Sequence, residues 1–141
     1  MKRRNVLTTK PEDVVLLAAQ GWKALTPAVL DAALAWYADN AVVTLIGLPP
    51  DQPNTFRGKA QIRAWMEDLA AHDFNLKFEV REVSDDTVTT LTRTWMDWSR
   101  KAGIAPIIAT EVFVIHDGKI VSETWTISPE SQAQIAAISG T

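Results

Sequence analysis

A chain of 141 residues, 47% hydrophobic and 22% charged, predicts one globular domain with a substantial core. The net charge of −3 gives no support to nucleic acid or an anionic membrane as a partner. The absence of cysteine excludes disulfides and a thiolate nucleophile, and the two isolated histidines, His72 and His116, make a metal site unexpected. No apolar run approaches the ~20 residues that span a bilayer. The basic start lacks the apolar segment of a signal peptide, so a cytoplasmic location is expected.

Three helices are predicted in the first half of the chain. A capping box at Thr9-Lys10-Pro11-Glu12 begins the first helix, and Thr26-Pro27 begins the second. A short apolar strand over 41–48 and a proline-rich loop come next. The third helix, over about 59–72, has apolar residues at helical spacing. The predicted organisation is a loose arm over 1–8, one domain over 9–130 and a tail over 131–141.

Four long strands joined by turns are predicted in the second half. From Phe74 onward hydrophobic and polar residues alternate, and Ser84-Asp85-Asp86 turns the chain into a strand that continues through Trp98. Asp117-Gly118 lies between two apolar runs and is the strongest hairpin signal in the chain. Helices grouped ahead of a meandering antiparallel sheet are typical of an α+β fold.

Three segments resemble the nuclear transport factor 2-like superfamily. They are the helix-to-strand segment Trp36–Val42, the helix start Phe56–Ile62 and the hairpin segment Gly118–Val121. The resemblance implies a cone-shaped α+β barrel, in which three N-terminal helices pack on the concave face of a curved, mostly antiparallel sheet. Because this fold carries many chemistries and some non-enzymes, it is poorly specific for function.

Two branches of the superfamily offer reactions for comparison. The first is limonene epoxide hydrolase, whose catalytic arginine would correspond to Arg93. This chain has Trp95 and Trp125 where that enzyme has its two aspartates, so the resemblance does not extend to epoxide hydrolysis. The second branch comprises ketosteroid isomerase and the SnoaL-like polyketide cyclases. The isomerase's oxyanion-hole acid would fall near Glu111, whereas its base aspartate would fall at Leu45 and is missing.

The predicted catalytic residues come from strand parity carried over from the family. Odd-numbered residues of three strands are expected to face the cavity, which places Arg93, Glu111 and Asp97 there. Glu111 or Asp97 would move a proton, and Arg93 would stabilise an oxyanion. The alternative for Arg93 is a structural salt bridge to Glu111 or Glu123. Burial would raise the pKa of Glu111, whereas a neighbouring Arg93 would lower it.

The predicted substrate-binding residues are mostly aromatic. They are Trp95, Trp125, Tyr37, Trp65, Phe113 and Glu123. Trp95 and Trp125 would either clamp a flat hydrophobic ligand or simply fill the interior. The even-numbered side chains from Thr90 to Trp98 are expected on the outer face of the sheet, where they would form a homodimer interface. The resemblance to the SnoaL-like branch thus implies cofactor-free proton transfer on a hydrophobic carbonyl compound, with a non-catalytic binding or dimerisation module as the alternative.

Overall fold

The computed structural model describes residues 10–22 and 26–138, and the predicted arm over 1–8 lies outside these ranges. The described elements run in the order α1 (Pro11–Trp22), α2 (Pro27–Leu34), β1 (Tyr37–Ile46), β2 (Thr55–Arg57), α3 (Gly58–Ala71), β3 (Asn75–Ser84), β4 (Thr87–Trp95), α4 (Asp97–Lys101), β5 (Ile107–His116), β6 (Lys119–Ile127) and α5 (Pro129–Ile138). The predicted α+β class is confirmed.

Six strands form one curved, unclosed sheet with the helices on one side. The strand order is β2-β1-β6-β5-β4-β3. β1 and β6 pair in parallel, and every other neighbouring pair in this sheet is antiparallel. The long connection from β1 to β6 therefore places the first strand beside the last, and this brings residues distant in the chain onto one concave face.

Local sequence signals account for several element boundaries. The Thr26 side chain accepts a hydrogen bond from the Val29 N–H at the start of α2, with proline in the first turn. Asp117 and Gly118 both have positive φ, 51° and 74°, as a two-residue hairpin turn of type I′ requires. The predicted hairpin between β5 and β6 is confirmed.

The strand that contains Arg93 is shorter than predicted. It ends at Trp95, and the chain enters α4 at Asp97 instead of continuing as a strand through Trp98. The Ser99 hydroxyl accepts from the Met96 N–H at 2.9 Å and donates to the Met96 carbonyl at 3.0 Å, which closes the first turn of this helix. Tyr37, one of the predicted substrate-binding residues, is the first residue of β1.

The main core lies between the concave face of the sheet and the helices α1, α2 and α3. A smaller apolar cluster of Ile107, Ile127 and Ile135 joins α5 to the ends of β5 and β6. The domain boundary predicted at residue 130 falls inside α5, whose Ile135 is buried. Residues 131–138 thus continue the packed domain rather than forming a separate tail.

Candidate functional site

An open cavity of about 870 Å³ lies between α3, the β1–β2 loop, α5 and the adjoining end of the sheet. Its volume is within the range typical of small-molecule sites. The wall is mainly apolar and includes Leu45, Leu48, Leu69, Phe74, Met96 and Ile127. Polar side chains interrupt this wall at Gln52, Gln61, Asp68 and His72. A hydrophobic ligand with a few polar groups matches such a wall.

An aromatic cluster forms one side of the cavity. The rings of Phe56 and Trp65 are stacked, with centroids 5.2 Å apart and an interplanar angle of 16°. Trp65 meets Trp125 edge to face, with centroids 6.3 Å apart and an angle of 83°. Phe56 comes from β2, Trp65 from α3 and Trp125 from β6. Three separate elements thus present a contiguous aromatic surface to a ligand.

The Trp125 indole is held from behind by a buried carboxyl group. Its Nε1–H donates to Glu123 Oε2 at 2.5 Å, and the Tyr37 hydroxyl donates to Glu123 Oε1. Glu123 is fully buried, and Tyr37 is 1% exposed. Both carboxyl oxygens therefore accept a hydrogen bond, which a buried acid requires. Tyr37 orients Glu123 and is not among the residues that line the cavity, whereas Trp65 and Trp125 are.

Glu111 on β5 is the second buried acid of the concave face, and it is 4% exposed. The Thr92 hydroxyl donates to Glu111 Oε1 at 3.2 Å. Burial raises the pKa of the Glu111 carboxyl well above its ordinary value, and the neighbouring Glu123 carboxyl raises that pKa further. The hydroxyls of Thr92 and Thr90 act in the opposite direction and are weaker influences. Glu111 is thus a group that retains its proton where exposed carboxyls have lost theirs.

The Trp125 ring separates Glu111 from the large cavity. A second, small void of about 10 Å³ lies between α1 and the sheet, and Glu111, Phe113 and Trp125 are among its walls. This volume is close to the minimum that accommodates one water molecule. Because Trp125 borders both spaces, it is the partition between the ligand-sized cavity and the buried acids.

Arg93 does not face this site, and its predicted place on the concave face is wrong. Thr90 pairs directly with Glu111 in the β4–β5 ladder, so the even-numbered residues of β4 share the face of Glu111. Thr90 and Thr92 are fully buried, whereas the Arg93 side chain is 43% exposed. Arg93 Nη1 lies 3.8 Å from Glu79 Oε1, so neither Glu111 nor Glu123 is its ion-pair partner.

The same one-residue shift in β4 moves Trp95 to the outer face and changes the residues of the expected dimer surface. Trp95 lies on the outer face with Arg93, so it does not clamp a ligand opposite Trp125. Thr90, Thr92 and Thr94, expected outside, are buried inside. Arg93, which was expected to correspond to the catalytic arginine of the epoxide hydrolase, is absent from the cavity wall. The resemblance to the catalytic residues of that enzyme is therefore lost at this position too.

Asp97 lies on α4 beside the cavity residue His72 rather than on the sheet. It is the first residue of α4, and its Oδ1 lies 3.2 Å from His72 Nδ1. His72 follows the last residue of α3 and lines the cavity together with Asp68. His72 was not among the predicted site residues, and its half-exposed ring lines the cavity. No local pattern connects Asp97 to His72, since only the fold brings the ends of α3 and β4 together.

A nuclear transport factor 2-like fold with a ligand-sized cavity is the class that these features define. The model of the SnoaL-like domain family matches residues 19–123, and the chain belongs to this family. No curated protein sequence matches this chain. None of the helices in the described ranges has the length and apolar character needed to cross a membrane.

Three solved structures illustrate the likeness in fold. An NTF2-like protein of unknown function from Cytophaga hutchinsonii is 17% identical, with a TM-score of 0.63 over 92% of this chain and 96% of the other. The epoxide hydrolase/cyclase-like enzyme SalBIII, which has a role in pyran ring formation in the polyether salinomycin, is 16% identical, with a TM-score of 0.67 over 86% and 92%. A computationally designed 17-OHP binder is 14% identical, with a TM-score of 0.67 over 88% and 95%.

Proposed function

We propose that this protein binds a hydrophobic carbonyl compound in the large cavity and catalyses a proton transfer on it without a cofactor. The reaction class is isomerisation, cyclisation, dehydration or hydrolysis. The observation that carries the proposal is the aromatic-lined cavity of about 870 Å³ adjoining two buried acids. Apolar cavities with a few convergent polar groups and perturbed carboxyls are typical of small-molecule sites. The fold's occurrence in SalBIII and in a designed 17-OHP binder is consistent with this use.

Glu111 is the acid in this proposal. A carboxyl whose pKa is raised by burial keeps its proton at pH values where an exposed carboxyl has lost it, and it can donate that proton to the carbonyl oxygen of a ligand that reaches past Trp125 to the small void. Glu123 is already occupied by hydrogen bonds from Tyr37 and Trp125, which favours a positioning role for it. Trp125, between Glu111 and the cavity, would contact a ligand that extends to the floor.

The binding step can be tested with the protein's own tryptophans. Fused-ring ketones of increasing size, beginning with 2-tetralone, are titrated while tryptophan emission is recorded. We expect saturable quenching that weakens in Trp65→Phe, because Trp65 is in the cavity wall. Trp95→Phe is the matched control, since Trp95 lies on the other face of the sheet and should leave the affinity unchanged. A panel without any saturable quenching would refute the proposed ligand class.

The chemical step is tested with Glu111→Gln. This substitution preserves the shape of the side chain and removes the transferable proton. We expect turnover of a ketone that binds to decrease by at least ~10²-fold, the lower range for general acid–base catalysis, with little change in affinity. Glu82→Gln alters an exposed carboxylate on β3 and should leave turnover unchanged. Equal turnover of Glu111→Gln and the wild type would remove Glu111 from the mechanism while leaving ligand binding intact.

The outer face of the sheet supports an additional proposal, that the protein forms a homodimer. With the corrected register, this face presents the half-buried apolar residues Leu91, Trp95, Ile108, Val112 and Val114. The helices lie on the opposite side of the sheet. An uncovered apolar face of this kind is typical of an association surface, and a second copy would cover it symmetrically. Sedimentation equilibrium at increasing protein concentration tests this directly.

A further inference from the structure

A histidine flanked by two carboxylates stands at the mouth of the large cavity. His72 and Asp68 both line the cavity, and they are four residues apart across the end of α3. Asp97 approaches the other side of the ring from the start of α4. Two bonds connect these segments, since the Asp97 backbone N–H also donates to the His72 carbonyl at 2.8 Å. The ring is therefore held by its own backbone as well as by its side-chain partner.

The hydrogen bond to Asp97 determines which ring nitrogen carries the proton. An ionised carboxylate only accepts hydrogen bonds, so Nδ1, 3.2 Å from Asp97 Oδ1, carries the hydrogen in the neutral ring. The lone pair then lies on Nε2. Asp68 Oδ1 is 3.9 Å from Nε2, too far for a hydrogen bond but close enough to interact with positive charge on the ring. The positively charged ring that forms when Nε2 gains a proton thus lies between two carboxylates.

A metal site is the other use for two carboxylates and an imidazole. The described residues contain no group of such side chains that could hold a metal ion. Here the two carboxylates approach different nitrogens of one ring, so the ring lies between them and they cannot converge on a common ion. This arrangement is instead that of a base whose tautomer is fixed by one carboxylate.

We propose that His72 is a catalytic base that removes a proton from a carbon atom next to the carbonyl group of the bound compound, with Asp97 as its positioning residue. The C–H bond breaks, its proton forms a bond to Nε2, and its electron pair becomes the carbon–carbon π bond of an enolate, whose oxygen takes the former carbonyl π pair. Returning the proton to the same or another carbon restores His72. The proposal depends on the proposed ligand cavity but not on Glu111, because His72 lines the cavity itself and Glu111 lies behind Trp125.

The test follows hydrogen–deuterium exchange of 2-tetralone in D₂O by proton NMR, after subtraction of the exchange in buffer alone. His72→Asn retains an amide N–H near the position of Nδ1 and deletes Nε2. We expect it to reduce the protein-dependent exchange by at least ~10²-fold, with the affinity from tryptophan quenching within about two-fold of the wild type. His116→Asn is the matched control, because His116 lies at the β5–β6 hairpin, with its ring 73% exposed. This control should exchange 2-tetralone at the wild-type rate.

The two histidines also provide a readout that does not need a variant. We expect 2-tetralone to shift the carbon-bound ring proton signals of His72 and leave those of His116 in place. Nitrogen correlations should show the Nδ1–H tautomer at His72 in the wild type and loss of that preference in Asp97→Ala, with a parallel loss of exchange.

The outcomes separate this inference from the proposed function. The role of His72 is refuted if 2-tetralone binds but its protein-dependent exchange is absent, or if that exchange persists in His72→Asn. Either result leaves the proposed ligand cavity intact. Absence of binding across the whole ketone panel overturns both. Exchange that is lost in His72→Asn but kept in Glu111→Gln supports His72 and removes Glu111 from this step.

Discussion

Replacing Glu111 with glutamine should stabilise the fold while impairing catalysis. Glu111 is 4% exposed, and burial together with the nearby Glu123 raises its pKa. In Glu111→Gln the amide oxygen can still accept from the Thr92 hydroxyl, and the amide N–H can donate to Glu123. The variant thus mimics the protonated acid without its ability to ionise. A gain in stability at neutral pH is the expected result.

The sign of the effect follows from proton binding in the two states. The ordinary pKa of a glutamate is near 4.5, and the folded-state pKa of Glu111 lies well above it. Between these values the folded protein keeps the proton that the unfolded chain has lost. The stability contributed by this proton is complete below the unfolded-state pKa and is lost as the pH rises through the folded-state pKa. The wild type should therefore lose stability relative to Glu111→Gln as the pH increases across this window.

The magnitude is set by linkage. One proton bound in the folded but not the unfolded state changes the free energy of unfolding by roughly 1 kcal/mol for each pH unit. In a domain of this size, 1 kcal/mol corresponds to about 4 °C in Tm. The two proteins should be similar near pH 4 and diverge steadily above it, until the pH passes the folded-state pKa of Glu111.

Thermal and urea unfolding followed by circular dichroism from pH 4 to pH 8 measures this difference. The other titrating groups are common to both proteins, so the difference curve isolates residue 111. Glu82→Gln is the control, because it removes an exposed carboxylate from β3 and should leave the difference curve flat. Parallel curves for the wild type and Glu111→Gln would refute the reasoning, since they would show that Glu111 ionises in the folded state as it does in the unfolded chain.

Three further predictions test the surroundings of the site. Tyr37→Phe removes one of the two donors to buried Glu123 and should cost about 1–3 kcal/mol in urea unfolding; an unchanged midpoint would contradict the hydrogen bond. Arg93→Ala should change stability by less than about 1 kcal/mol and leave turnover intact, because its ion pair is exposed; a large loss of turnover would return Arg93 to the site. Val112→Glu, on the outer face, should shift sedimentation from dimer to monomer without altering ligand quenching, and a dimer that persists would place the interface elsewhere.

The fold was predictable because its signals are local. Capping residues, helical spacing and the Asp117-Gly118 turn each constrain a few neighbouring residues, and their order along the chain defines the α+β layout. α4 was missed because it is only five residues long and continues from a strand with alternating hydrophobicity. Residues 131–141 were predicted as a tail, because the burial of Ile135 that anchors α5 depends on the distant β5 and β6.

The strand parity carried over from the family predicted part of the candidate site. The predicted inward positions of Glu111, Glu123 and Trp125 agree with the burial of all three, and a bulge between Val114 and Ile115 sets the register in which Glu111 pairs with Trp125. β4 and β5 are joined by a connection that contains α4, so the parity of one strand did not determine that of the other. A shift of one residue was enough to exchange Arg93 for Thr92 on the inner face.

The proposed function would account for the energetic cost of burying these acids. Burial raises the pKa of the Glu111 carboxyl, so ionisation of this group destabilises the fold, and well-packed apolar residues of similar size would typically be neutral or better. The two carboxyl oxygens of Glu123 accept hydrogen bonds from Tyr37 and from the Trp125 indole. Trp125 in turn lies between the acids and the cavity. The energetically unfavourable groups are therefore coupled, through a single indole, to the space that a ligand would occupy. Such an arrangement is expected where a protein is less stable in exchange for a preorganised site. Glu111→Gln should therefore raise the stability of the fold and lower the turnover.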